Sequence, residues 1–194
     1  MKNLFVIIVP FLLMSCASFN KNHSFKNEVK LNENSISLLN GSYTVNPSIE
    51  LNKGRSGKIY FTDKGDLNRT NLYNFFNNSS RSLNDFQDST YLVKLKVINK
   101  NEILIYQYNI DQKMDSILLK YKLKSNGYIY IKNKNFKING VPYLFGGFEL
   151  NRIRITLSNE NNLVFNSAHY FYGSFLILFG DARKTLNNGI YKRI

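Results

Sequence analysis

The strongest constraint on the fold is a two-residue period. Between Tyr91 and Ile98, Tyr91, Val93, Leu95 and Val97 alternate with Leu92, Lys94, Lys96 and Ile98; the same beat returns over Ile117–Lys124 and Arg152–Leu157. Successive side chains of an extended strand point to opposite faces, so each segment can press one face on a core and hold Lys or Arg in water. Short Asn-rich breaks, Asn99-Lys100-Asn101, Ser125-Asn126-Gly127 and Asn159-Glu160-Asn161-Asn162, separate these runs. An Asn-Gly pair suits the positive φ values of a tight type I′ turn. The spacing predicts hairpins of Tyr91–Ile98 with Ile103–Tyr108, of Ile117–Leu123 with Tyr128–Ile131, and of Leu150–Leu157 with Leu163–Phe171.

Consecutive hairpins without βαβ alternation predict an all-β chain, a single antiparallel up-and-down barrel of about 8–10 strands, because closure removes the exposed edges of so large a sheet. Leu38–Val45 is the expected first strand and Gly189–Ile194 the terminal one. One interval departs from the beat. Leu72, Phe75 and Phe76 stand at i, i+3 and i+4, which predicts one short helix near residues 67–77 with Thr70 as its cap; a loop with a hydrophobic plug is the alternative. The run Phe175–Phe179 is apolar at every position; it belongs to an aromatic-rich stretch that lines or fills the barrel, with a strand covered by that helix as the alternative.

The chain has 194 residues, 43% of them hydrophobic, enough for one domain with a real core. One cysteine and two histidines exclude an internal disulfide and a thiolate zinc cage. The formal charge of +13 invites a nucleic-acid reading, but 19 of the 26 basic residues are Lys and they are dispersed along the chain. Nucleic-acid readers favour Arg for bidentate contacts. With 29 Asn beside them, these lysines read as compositional bias on a solvated face, and no nucleic-acid partner is expected.

The amino terminus carries an address. Lys2, the apolar Leu4–Val9 and Phe11–Leu13, and the small Ser15 make a secretory signal, too short to span a bilayer, which takes roughly 20 apolar residues. Leu13-Met14-Ser15-Cys16 resembles a bacterial lipobox. That resemblance implies diacylglyceryl transfer to the Cys16 thiol, cleavage after Ser15 and acylation of the new amino group, hence a lipid anchor. Ala17 and Ser18 follow, with no acidic residue before Glu28. By resemblance to lipoprotein sorting rules this implies the outer membrane, on its periplasmic face. The expected organisation is a signal peptide over 1–15, a flexible lipid-anchored tether over 16–36 and a β-barrel over 37–194.

Leu39-Asn40-Gly41-Ser42-Tyr43 resembles the Gly-x-Trp opening of lipocalin-like (calycin-like) barrels, with Tyr in place of Trp. The blocks Val141–Phe148 and Phe175–Asp181 and the Tyr191-Lys192-Arg193-Ile194 end are similar to those of Bacteroidota-type outer-membrane lipoproteins. A lipocalin-like barrel is what these resemblances imply. They leave the activity open, since one scaffold hosts unrelated functions.

Chemistry finds little footing. With His23 in the tether and Cys16 in the anchor, His169 is the remaining candidate base, sharing a strand face with Ser167 and Phe171; a surface or hydrogen-bonded histidine is the plainer reading. Asp63/Asp66, Asp85/Asp88 and Asp111/Asp115 lie in turn-like sequence, and Gly54–Lys58 lacks Walker spacing. No catalytic residue, metal or cofactor is expected. The candidate ligand lining is aromatic: Tyr143, Phe145, Phe148, Phe165, His169 and Phe171, with ring-filling of the barrel as the plainer alternative. The expectation is a non-catalytic, membrane-anchored envelope lipoprotein binding a hydrophobic small molecule. The alternative is a structural lipoprotein with a filled barrel that docks an envelope protein.

Overall fold

The structure, a computed structural model, describes residues 19, 25, 27–53, 59–60, 71–77, 90–132, 136–141, 145–175 and 179–194. Residues 1–15, the expected signal peptide, and Cys16 lie outside them. The chain enters through β1 (Glu28–Val29) and a 3-10 turn (Ile36–Leu39), then runs through β2 (Gly41–Thr44), β3 (Ile49–Lys53) and β4 (Ile59–Tyr60) to one helix, α1 (Leu72–Asn77). Eight strands follow: β5 (Tyr91–Asn99), β6 (Glu102–Asn109), β7 (Gln112–Leu123), β8 (Ile129–Ile131), β9 (Phe136–Val141), β10 (Phe145–Ser158), β11 (Leu163–Phe175) and β12 (Phe179–Tyr191). Every pairing among them is antiparallel. The all-β expectation with one short helix therefore holds.

Strand order is β2-β5-β6-β7-β8-β10-β11-β12-β3-β4, a sheet curled into a barrel-like shell. β10 organises it. One edge pairs with β11 from Phe145 to Leu157; the other takes β9 at 145–150, β8 at 153–155 and β1 at 157–158. The predicted hairpins appear in register, Val93 opposite Gln107 and Ile155 opposite Phe165. Two local expectations are corrected. In Ser125-Asn126-Gly127 only Gly127 has positive φ, +81°, because this loop has three residues, and such loops place a left-handed residue last where a two-residue type I′ turn needs two. Phe175–Phe179 is not one strand, since Phe175 ends β11 and Phe179 opens β12 as its partner; residues 176–178 lie outside the described residues.

The sheet's first strand returns to its last segment. Thr44 N donates to Lys192 O and Ile194 N to Ser42 O, both at 2.9 Å, around a Tyr43–Arg193 bridge. Arg193 finishes the seam: Nη1 donates to Leu38 O (3.0 Å) and Nη2 to Asn40 O (2.5 Å), with the guanidinium 5.9 Å from the centre of the Tyr43 ring. Below it, fully buried Tyr43 donates its hydroxyl to Leu39 O at 2.9 Å. The 3-10 turn is thereby tied to both ends of the barrel.

Inside the shell the odd-numbered residues of β5, β6 and β10 meet. Val93, Leu95, Ile103, Ile105, Ile153, Ile155 and Leu157 are at most 1% exposed. α1 fills the remaining volume. Asn71 caps it, its Oδ1 accepting from Tyr73 N (2.9 Å) and Asn74 N (3.3 Å), while Leu72, Tyr73 and Phe76 are buried. Phe75 and Phe76 meet Phe165 at centroid separations of 4.7 and 5.7 Å. The cap is Asn71, and residues 67–70 lie outside the described residues.

The free tether expected over 16–36 ends earlier than that. From Asn27 the described chain belongs to the body: β1 adds to β10, Leu31 is 4% exposed, Leu31 N donates to Gly127 O (3.1 Å), and Thr156 Oγ1 donates to Val29 O (2.5 Å). The physical cause is that β10 outruns β8, leaving backbone groups at Leu157 and Ser158 that an added strand satisfies. The approach is tight enough that a Cβ on Gly127 would stand 2.5 Å from Lys30 Cα.

Two outcomes are expected. Arg193→Met removes two charge-assisted hydrogen bonds and should cost about 2–3 kcal/mol in urea unfolding. Burial pushes the Tyr43 hydroxyl up to about 12 from 10.0, the Arg193 charge opposing it only in part. The unfolded chain then releases this proton first, so Tyr43's contribution is whole below pH 10 and is lost as pH rises through 10 to 12. Tyr43→Phe should flatten that alkaline fall, read as unfolding midpoint against pH.

Candidate functional site

The three long strands β10, β11 and β12 form the surface on which the sequence-predicted site residues fall. Their register settles which residues share a side. Asn151 faces His169 and Thr185; Ile153 faces Ser167 and Asn187; Ile155 faces Phe165. These belong to the inward side that carries the core. Phe148 lies opposite Tyr172, and Arg154 opposite Asn166, on the outward side. An alternating strand cannot put both sets into one wall.

The candidate aromatic lining is accordingly divided. Phe165, 1% exposed, is spent in the core against α1 and Tyr191. His169 and Phe171 share its side farther along β11, where Phe171 is 40% exposed. Phe148 is on the other side, stacked against Tyr170 and Tyr172 at 5.6 Å each. Phe145 opens β10, paired with Val141 and Phe175; Tyr143 lies outside the described residues.

On the inward side His169 is not isolated. Its Nε2 stands 2.8 Å from Glu149 Oε1, a diagonal neighbour across the β10–β11 pair, and both side chains are about one-third exposed. A carboxylate at that distance orients an imidazole, the arrangement a general base requires. Ser167 shares the side two residues away, where its Oγ accepts from Asn187 Nδ2 at 3.4 Å. Asn151, directly opposite His169, has a buried Oδ1 without a hydrogen-bond partner among the described residues. Beyond lies an Arg183–Asp181 ion pair at 2.8 Å. Toward this end of the strands the inward side is polar, whereas at the other end it is apolar. Among the described residues no three His, Cys, Asp or Glu side chains converge as metal ligands.

The outward side holds what the alternation alone did not reveal. Arg154 projects away from the core yet is only 7% exposed, because its guanidinium lies between the rings of Tyr128 (4.1 Å) and Phe19 (4.5 Å). Its Nε donates to Asn166 Oδ1 (3.0 Å), and Asn166 Nδ2 donates to Asn188 Oδ1 (2.8 Å), a buried polar row across three strands. Phe19 also stands edge-on to Tyr130 at 5.8 Å. Tyr128 Oη bonds Glu28, and burial followed by that bond moves its hydroxyl upward. At Tyr130 burial works upward too, but the Asn126 amide and the charges of Arg154 and Lys124 outweigh it and hold the hydroxyl below its ordinary value. Lys124 Nζ lies 4.0 Å over that ring.

Phe19 is only three residues beyond Cys16, so the seat on Arg154 binds the chain just after the expected anchor. No signal in the chain marked Arg154 as its receptor; alternation assigns it to the outside and says nothing of what covers it. Comparison with family models, with curated proteins and with solved structures finds no match.

The seat is testable. Arg154→Lys keeps the charge but loses the flat stack and the Nε bond, and should cost about 1–2 kcal/mol. Phe19→Ala should leave the unfolding midpoint nearly unchanged while speeding proteolytic cleavage ahead of Asn27.

Proposed function

We propose that this chain is a non-catalytic lipoprotein of the bacterial envelope, held by lipid on Cys16, that works by presenting the outside of a filled, lipocalin-like barrel. The observation that carries the reading is the occupation of the interior by the protein's own rings. Tyr43, Tyr121, Tyr191, Phe76 and Phe165 are all buried to below 2% exposure around α1. The division of the candidate aromatic lining between two sides of β10–β11 supports it further, because a carrier needs its apolar wall on one side. Of the two expectations drawn from the chain, the interaction lipoprotein is therefore favoured over the carrier of a hydrophobic molecule.

Support for the anchor comes from Leu13-Met14-Ser15-Cys16, whose cysteine is the chain's one thiol, and support for the barrel type from the Gly41-Ser42-Tyr43 opening. In the fold that opening is a first strand entered from a 3-10 turn. Several acyl chains on one cysteine give durable anchoring, since each buried methylene contributes about 0.8 kcal/mol.

The His169–Glu149 pair is the feature a catalytic reading would use. In the proposed function it is a partly exposed hydrogen-bonded pair that positions no substrate.

Mass spectrometry of the protein expressed in a bacterium tests the reading. A diacylglyceryl-modified Cys16 at the mature amino terminus is expected, with Cys16→Ser abolishing the modification and membrane retention. Native mass spectrometry should find no bound lipid in the barrel beyond the anchor. A co-purifying hydrophobic molecule that resists delipidation would return the carrier to first place.

A further inference from the structure

The geometry points to one side of the barrel, the outward side of β8, β10, β11 and β12, as a docking surface for an anionic phospholipid bilayer. The inference rests on the lipid anchor proposed for Cys16 and adds to it a fixed orientation of the folded body.

Reach comes first. A lipid on Cys16 holds that residue at the membrane surface, and three residues span at most about 10 Å. Phe19 is seated on Arg154 and Tyr130, so this outward side is brought within about that distance of the bilayer. β1 then fastens the following segment to the end of β10, so the seat is continued by strand pairing.

Charge is the second argument. Around the seat, Lys122 pairs opposite Tyr130, Lys132 follows β8, and Arg152 stands two residues along β10 from Arg154; all three are exposed. Lys184 joins them opposite Tyr170. Two acidic groups of neighbouring strands are engaged, Glu28 with Tyr128 and Glu102 with the Asn99 amide.

Side-chain chemistry is the third. Farther along the same side Phe148, Tyr170 and Tyr172 form a stacked, half-exposed aromatic cluster. Rings with a polar tip settle at the headgroup level of a bilayer. From Arg154 to Phe148 is six residues, or about 20 Å of strand, so basic and aromatic zones lie on one continuous surface beside the seat. A protein partner would use the same residues without needing the anchor beside them. The proximity of the anchor is what favours lipid.

The chain's one native cysteine is consumed by acylation, so an introduced cysteine can be labelled alone. The test reconstitutes the full lipidated protein into vesicles of phosphatidylcholine with or without phosphatidylglycerol, carrying a headgroup quencher. A fluorophore is attached at Lys122→Cys or at Lys94→Cys, exposed on β5 across the barrel. Each basic residue at an anionic surface multiplies the population of that orientation roughly fivefold, so quenching at position 122 should exceed that at 94 by about threefold or more. The excess should shrink in neutral vesicles, at high salt, and in Lys132→Glu/Arg152→Glu. Equal quenching at the two positions in anionic vesicles would overturn the docking surface and leave the anchor standing. A protein that fails to float with any vesicle would overturn both.

Discussion

The return of β2 to the chain's last segment is braced by the Arg193 guanidinium. It lies over the ring of Tyr43 and takes two carbonyls at the C-terminal end of the 3-10 turn, Leu38 and Asn40. A cation so placed keeps hydrogen bonds for its donors and an aromatic face for its plane, which is why Arg and not Lys fits there. Without that seam β2 would be an open edge, with the backbone groups of Ser42 and Thr44 unpaired. With it, the sheet has an inside. Only then do Leu72, Tyr73 and Phe76 of α1 have an enclosed apolar volume to fill.

The inside is not uniform along the long strands. At the end where Leu157, Leu163 and Tyr191 lie side by side, the inward positions are apolar and fully buried. At the other end the inward positions include Glu149, His169 and Thr185 beside a 40% exposed Phe171, while Phe148, Tyr170 and Tyr172 stand on the outward side. With 13 or 14 residues each, β10 to β12 are longer than a typical five- or six-residue strand. α1 meets β11 at Phe165. Among the described residues the inward positions beyond the helix are not covered by a dry core, so polar residues can stand there without cost in burial. Aromatic residues close in sequence therefore do not form one wall: Phe148 is on the outward side, and Phe165 and Phe171 share the inward side but only Phe165 is buried.

The hairpins were legible because their information is local. A two-residue period needs only the strand itself, so Tyr91–Ile98 and Leu150–Leu157 could be placed within a few residues. α1 was visible for the same reason, through Leu72, Phe75 and Phe76. What the chain could not disclose were relations between distant residues. Arg193 and Leu38 are 155 positions apart, and nothing near either names the other. Alternation places Arg154 on the outside correctly, but the cover provided by Phe19 belongs to another segment. Residues 17–36 lack periodicity and so read as free tether, yet strand addition needs no periodicity when only Glu28 and Val29 pair. Phe175–Phe179 misled in the opposite sense: continuous apolarity fits a buried strand equally well as the end of a hairpin.

The outward polar row shows why the amino-terminal segment matters to the body and not only to the anchor. Arg154, Asn166 and Asn188 satisfy one another across three strands, and all are buried although they point away from the core. Such a row is costly if its charge loses cover while remaining out of water, and favourable if aromatic faces and amide oxygens enclose it. Tyr128 supplies one face from the body of the barrel and Phe19 the other from the segment following Cys16. The cation is thus completed only when the chain leading from the expected anchor lies along β10. A pull on that chain would first expose Arg154 and then peel Glu28 and Val29 from the end of β10, where only two residue pairs hold β1. The amino-terminal segment and the barrel wall are therefore linked through one outward-facing arginine.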